Sequence, residues 1–74
     1  MPGNDAIHVE GVVVEVLPDT LFRLELPNGH RILAHASARL KPELARVTIG
    51  DILDVEMTPF DMSRGRIRQW KKTI

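Results

Sequence analysis

A neutral chain of 74 residues, 43% of them hydrophobic, is long enough for one small domain and too short for a large core. It contains no cysteine, which excludes disulfide bonds, thiolate metal sites and cysteine nucleophiles and is typical of a reducing compartment. The sequence shows no leader pattern at its start and no apolar run of membrane-spanning length. We therefore expect an unprocessed, soluble, cytoplasmic protein with no membrane partner.

Two strands are predicted at the start of the chain. Ile7–Leu17 is rich in β-branched residues, but its apolar residues do not alternate cleanly, as expected of a strand that coils through two halves of a barrel. Gly11 would permit the bend or bulge that such a strand needs. After a turn at Pro18-Asp19, residues 21–26 show a clear period-two pattern and form the second strand.

A hairpin and a connector are predicted next. Asn28-Gly29 favours a tight turn because both residues tolerate a positive φ, and Arg31–Ala36 would be the returning strand. Two interpretations of the connector stay open. Either Ser37 caps a helix that begins at Ala38, or Pro42 opens a short helical turn, since proline costs little at the first helical position.

Strand periodicity returns after Gly50-Asp51. Residues 53–57 alternate apolar and acidic side chains in a fourth strand, and Arg66–Lys71 forms a fifth. This order of elements predicts an all-β fold, a five-stranded oligonucleotide-binding (OB) barrel with a short helical connector between strands three and four. We expect one domain over residues 1–74, with disordered tails at 1–6 and 72–74.

The charges are divided unevenly along the chain. Residues 1–30 hold five acidic side chains and one basic side chain, Arg23, whereas residues 31–74 hold nine of the ten basic ones. From Arg64 onward there are five basic residues and no acidic one. Such segregation can give a neutral protein a local positive field for nucleic acid, although a solvated basic tail remains the alternative.

Several segments in this order resemble the bacterial translation initiation factor one family, and the match runs without gaps from Ile7 to Ile67. The segments that carry the resemblance are 17–26 (LPDTLFRLEL), 28–30 (NGH), 34–37 (AHAS), 46–47 (RV), 50–51 (GD), 55–61 (VEMTPFD) and 63–67 (SRGRI). The resemblance implies an S1-like barrel that binds the small ribosomal subunit at the A site. It further implies contacts with 16S-type rRNA and a ribosomal protein, occlusion of the A site, cooperation with the other two initiation factors, and a monomer.

The predicted RNA-binding residues come from two sources. One is the hairpin between the fourth and fifth strands, where Arg66 and Arg68 share one strand face by period two. The other is the set of positions that match the family. Together these residues are Arg23, His30, His35, Arg39, Lys41, Arg46, Arg64, Arg66, Arg68 and Lys71. The alternatives without RNA binding are that these residues only form a charged barrel exterior and that Arg23, beside Glu25, forms a cross-strand salt bridge. Lys41 stands where the family more commonly has an arginine, Pro42 where it has a basic residue and Leu44 where it has an aromatic, and these departures weaken the expected patch of the connector.

The remaining side chains with chemical potential have plainer interpretations. His30 and His35 point to opposite strand faces and have no third ligand, so no metal site is predicted, and either histidine is equally well explained as a hydrogen-bonded structural residue. Phe60 is expected to pack the hairpin rather than stack on a base. Trp70 implies either a late bulge or an outward-facing indole, and we favour the bulge because it returns the ring to the barrel.

Three functional classes compete at this point. No cofactor and no enzymatic activity are predicted, because no nucleophile with a supporting histidine and no phosphate-cradling loop is visible. A cold-shock or S1-type single-strand binder would need a row of exposed aromatics, and the chain has only three aromatic residues. A barrel that binds only proteins is the third possibility, and its binding would depend little on salt.

Overall fold

The computed structural model describes residues 6–71, which form a closed five-stranded barrel. The elements are β1 (Ile7–Leu17), β2 (Leu21–Glu25), β3 (Arg31–His35), α1 (Lys41–Leu44), β4 (Ile52–Thr58) and β5 (Asp61–Lys71). Around the barrel the strand order is β1-β2-β3-β5-β4, in which β3 and β5 run parallel and the other neighbours antiparallel. The predicted all-β OB barrel, with its helix between β3 and β4, is confirmed. The tails predicted over 1–6 and 72–74 lie outside the described residues, apart from Ala6.

The core is built from the inward side chains of all five strands, Leu26 of the β2–β3 turn and three residues of the connector, Ala36, Leu44 and Val47. Its most enclosed members are Val13, Phe22, Leu24, Ile32, Leu44, Leu53, Val55, Met57 and Ile67. Alternation along β2, β3 and β4 places the charged residues of these strands on the outside. No buried polar or charged residue occurs within residues 6–71, so the barrel is held by apolar packing.

β1 serves both halves of the barrel, as its irregular pattern predicts. Its first half pairs with β4 and its second half with β2. The bulge of this strand lies at Val14, where the register with β2 shifts. Gly11 has a different role, because a Cβ added there would lie 2.9 Å from the Cβ of Leu24. The glycine therefore permits close contact between β1 and β2.

Two predicted turns are confirmed, although the second has a different geometry from the one expected. Asp19 adopts a positive φ of 64°, within the loop that joins β1 to β2. In the β2–β3 turn only Gly29 does so, at 87°, and the Leu26 carbonyl accepts a hydrogen bond from the Gly29 N–H at 2.8 Å. This is a four-residue turn, 26–29, whose last residue is the left-handed glycine, and Asn28 contributes through its Oδ1, which accepts from the His30 N–H at 3.0 Å.

The connector contains the short helical turn that Pro42 is predicted to open. The alternative prediction, a helix capped by Ser37, is wrong. Leu40 is the N-cap of α1, without a side-chain cap, and Pro42 lies in its first turn, where its missing N–H costs nothing. The Ser37 backbone carbonyl accepts from the N–H groups of Leu40 and Lys41 in a preceding turn. Leu44, only 1% exposed, packs the connector against the end of the barrel.

β5 is longer than predicted and contains the predicted bulge. It begins at Asp61 rather than Arg66, because a two-residue turn at Pro59-Phe60 brings Thr58 opposite Asp61. Near its other end Ile67 pairs with Val55 and Gln69 with Asp54, which leaves Arg68 as the extra residue. The bulge returns Trp70 to the barrel, where it is partly buried against the core.

Candidate nucleic-acid interface

The outer surface of β2, β3 and β5 collects basic side chains through strand register. His35 of β3 lies beside Arg66 of β5, and Leu33 of β3 lies between Arg23 of β2 and Arg64 of β5. All five side chains point outward, because their sequence neighbours are buried. We call the surface formed by Arg23, His35, Arg64 and Arg66 the cationic face.

Arg39, Lys41 and Arg46 extend this surface into the connector. All three are exposed, and they flank or begin α1. Because the chain leaves β3 at His35, the connector is attached directly to the cationic face. Leu44, at the centre of the connector, is buried and holds the backbone of this segment on the barrel, so the departure from the family pattern at this position lies in the core.

Ion pairs divide the predicted set into two groups. Arg68 donates to Glu56 at 3.1 Å, and Lys71 contacts Glu10. Glu56 lies on the outer face of β4, opposite Arg66 in the ladder with β5, and Glu10 lies on the outer face of β1. Contact with Glu10 raises the pKa of the Lys71 ammonium. Within residues 6–71, no ion pair involves Arg39, Lys41, Arg46, Arg64 or Arg66.

Arg23 makes a cross-strand salt bridge, which is the alternative that the sequence suggests for it. Its Nε lies 3.2 Å from Oε1 of Glu15, the residue opposite it on β1, whereas Glu25 is 3.4 Å from Arg31. Both pairs are exposed, and such pairs contribute little to stability. They do, however, reduce the positive potential at Arg23, and the unpaired cations of the surface are concentrated on β5 and the connector.

Neither predicted histidine is buried. His30 precedes β3 and donates from Nε2 to the Met62 carbonyl at 2.8 Å, so it joins the β2–β3 turn to the start of β5. His35 ends β3 and faces outward beside Arg66. Among the residues that the structure describes, no cluster of three or more potential metal ligands occurs.

The hairpin between β4 and β5 differs from the expectation at Phe60. This side chain is 87% exposed, so the prediction that it packs the hairpin is wrong, because its position in a two-residue turn directs it away from the sheet. The start of β5 is instead fixed by Asp61, whose carboxylate accepts from the Ser63 N–H at 3.2 Å and the Ser63 Oγ–H at 2.8 Å. These hydrogen bonds lower the pKa of Asp61. The Asp-x-Ser spacing is a sequence signal for such a turn that the periodicity analysis missed.

Comparisons with known proteins agree with this architecture. The sequence matches the family described as translation initiation factor 1A / IF-1 over residues 1–72. The solution structure of translation initiation factor one from the Wolbachia endosymbiont of Brugia malayi is similar, with a TM-score of 0.68 and 38% identity over 95% of this chain and 84% of that one. YjeQ from Thermotoga maritima shares the fold, with a TM-score of 0.65 and 21% identity over 89% of this chain and 23% of that one.

The helical content is small, and no helix within residues 6–71 has the length needed to cross a membrane. Barrel topology, the position of the short helix and the match along nearly the whole sequence therefore agree with one another. The chain belongs to the translation initiation factor 1A / IF-1 family.

Proposed function

We propose that this initiation factor binds the small ribosomal subunit at the decoding A site, where it contacts 16S-type rRNA and a neighbouring ribosomal protein. In this role it keeps tRNA out of the A site before the subunits join, and it acts together with the other two initiation factors. It works in the cytoplasm as a monomer. The proposal consists of binding and occlusion, and it contains no catalytic step.

The observation that supports the proposal is a group of cations without acidic partners among the described residues. Arg64 and Arg66 project from adjacent outward positions of β5, and Arg39, Lys41 and Arg46 surround the connector beside them. A guanidinium can engage a phosphate with two hydrogen bonds and can also stack on a base, which suits a folded RNA. Because none of these side chains forms an ion pair within the described residues, they are the ones we expect to meet rRNA phosphates.

The positions of the aromatic residues argue against a general single-strand RNA binder. Phe22 is 2% exposed and Trp70 packs against the core, while Phe60 lies alone at the tip of the β4–β5 hairpin. Single-strand binders of this fold stack successive bases on aromatics of adjacent strands. This chain has three aromatic residues and places none on the cationic face, so a structured RNA surface is the better partner.

Co-sedimentation with purified small ribosomal subunits tests the proposal. We expect the protein to pellet with the subunits, to bind more tightly when the other two initiation factors are present, and to protect decoding-site nucleotides in chemical footprinting. Arg46→Ala combined with Arg66→Ala should greatly weaken pelleting without unfolding the barrel, because both side chains are exposed. An absence of protected nucleotides at saturating protein would contradict the proposal.

A further inference from the structure

The first half of β1 has a free edge. β1 pairs with β4 over Ile7–Val12, but its ladder with β2 covers only Val12–Leu17, because β2 ends at Glu25 and the chain turns away. Within residues 6–71, no backbone hydrogen bond joins residues 7–11 to residues 26–30. Alternate N–H and C=O groups of this segment therefore point away from β4 without a partner among the described residues.

Cavities lie on both faces of this free edge. Successive side chains of β1 point to opposite faces, so Val12 lines one cavity of about 470 Å³ and Val9 lines another of about 300 Å³. Leu26 and Pro27 line both cavities and form the wall opposite β1. We call the space between residues 7–12 and Leu26-Pro27 the β1 slot. An added strand would direct alternate side chains into the two cavities.

The charged residues around the β1 slot indicate the chemical class of the ligand that it can bind. The lining of the smaller cavity contains no ionisable side chain, and the larger one includes the carboxylates of Glu10 and Glu25. Both carboxylates are about half exposed and are held only by surface ion pairs, with Lys71 and Arg31, which a ligand cation can displace. With Glu10 and Glu25 as the charged residues of its lining, the β1 slot offers no unpaired cation to nucleic acid. It is complementary to an extended peptide in which apolar residues alternate with lysine or arginine.

We propose that the β1 slot binds an extended apolar and basic segment of a protein partner by strand addition. The partner's main chain bonds to the free edge of β1, its apolar side chains enter the two cavities, and its cations meet Glu10 and Glu25. Strand addition of this kind obtains affinity from the main chain and specificity from alternate side chains. The β1 slot uses no residue of the cationic face, so protein and rRNA can be bound at the same time. This inference goes beyond the proposed function and does not depend on it.

A model peptide tests the slot directly. The probe is a capped hexapeptide of alternating valine and lysine, titrated into the full-length ¹⁵N-labelled protein and followed by NMR. We expect shift changes confined to residues 7–12 and 25–30 and to the other residues that line the two cavities, Val14, Ile52, Met57 and Met62, together with slower hydrogen exchange at alternate amides of residues 7–11. The same peptide N-methylated at every backbone amide loses its donors, and we expect it not to bind.

Two exposed valines of β1 provide a matched pair of variants. Val12 is 42% exposed and lines the β1 slot, whereas Val16 is 48% exposed and lies outside it. Val12→Ser should weaken binding of the valine-lysine peptide about fivefold, from the loss of apolar contact, and Val16→Ser should not change it. Four results would each overturn the proposal. They are the absence of shifts at millimolar peptide, shifts outside the residues that line the β1 slot, equal binding of the N-methylated peptide, and equal effects of the two valine variants. Shifts in residues 7–12 that depend on protein concentration alone would assign the edge to a second copy instead, and would also overturn it.

Discussion

His30 donates from Nε2 to the carbonyl of Met62 at 2.8 Å, and so bonds the turn after β2 to the beginning of β5. The two residues are 32 positions apart in sequence, and both are exposed. The hydrogen bond gives His30 a structural role on the barrel surface. Any contact that its imidazole makes with rRNA would have to use the ring atoms that remain.

Replacing this imidazole tests the structural role. We expect His30→Ala to lower the free energy of unfolding by about 1 kcal/mol, the usual net contribution of one hydrogen bond, and to speed hydrogen exchange at residues 61–63. Urea unfolding and NMR exchange measure the two effects. His35→Ala is the control, because no hydrogen bond of the His35 ring is seen within the described residues. Equal stability of both variants would show that the Met62 contact adds nothing.

Gly11 should tolerate no side chain. A Cβ at this position would meet the Cβ of Leu24 at 2.9 Å, an atom that cannot move without its backbone, so Gly11→Ala should cost about 1–3 kcal/mol in urea unfolding. At Gly65 the nearest atom would be the flexible Cδ1 of Ile32 at 3.1 Å. Gly65→Ala should therefore cost less. The reverse order of the two variants would contradict the packing argument.

Arg66 and Arg68 offer a test of the ionic division on one strand. Arg66 has no acidic partner within the described residues, whereas Arg68 donates to Glu56. Arg66→Gln should weaken small-subunit binding and reduce the slope of log affinity against log salt by about one, as expected for one lost phosphate contact. Arg68→Gln should change that slope less. A larger effect of Arg68→Gln would place the interface on the side of β5 that faces β4.

The hydrogen bonds to Asp61 predict a dependence on acid. Because the pKa of Asp61 in the folded protein lies below its ordinary value of 3.8, its carboxylate stabilises the fold above that value, and this contribution is lost as the pH falls through the lowered pKa. An NMR titration of the carboxyl carbon measures the shift. Ser63→Ala removes the main cause, so the pKa of Asp61 should move back toward 3.8. An unchanged titration midpoint in this variant would exclude Ser63 as the cause.

The exposure of Phe60 predicts that its ring contributes little to folding. With 87% of the side chain exposed, Phe60→Ser should leave the free energy of unfolding within about 0.5 kcal/mol of the parent. Phe22→Leu, in the core, should be destabilising in the same urea assay, because it leaves a cavity. A large loss of stability in Phe60→Ser would restore the packing role that the sequence suggests.

The strands could be predicted because local patterns determine them. Alternation in residues 53–57 and β-branching in residues 7–17 reflect burial on one side of a sheet, which leaves a trace in sequence. The early start of β5 left no such trace, since residues 61–65 include a serine and a glycine, and Arg64 and Gly65 pair with β3, a strand distant in sequence. Contacts of that kind depend on elements distant in the chain.

The candidate site shows the same limit. The basic residues themselves could be identified from composition and from the family pattern. The sequence suggests a cross-strand salt bridge for Arg23 but not its partner, because Glu15 is placed opposite Arg23 by the register of two strands, and Arg68 meets Glu56 at a bulge. Which cations are unpaired is therefore a property of the assembled sheet.

The arrangement of charge around the barrel has a consequence for encounter with RNA. Glu10, Asp54 and Glu56 lie on the outside of β1 and β4, and the unpaired cations lie on the neighbouring strand β5 and on the connector. A molecule with no net charge whose acidic side chains and unpaired basic side chains lie on different strands carries a permanent electric dipole. In the field of a polyanion the dipole experiences a torque that turns the arginines toward the polyanion. Because the net charge is zero, the overall electrostatic attraction to unrelated nucleic acids is small. Orientation rather than bulk attraction would then set how quickly productive collisions occur.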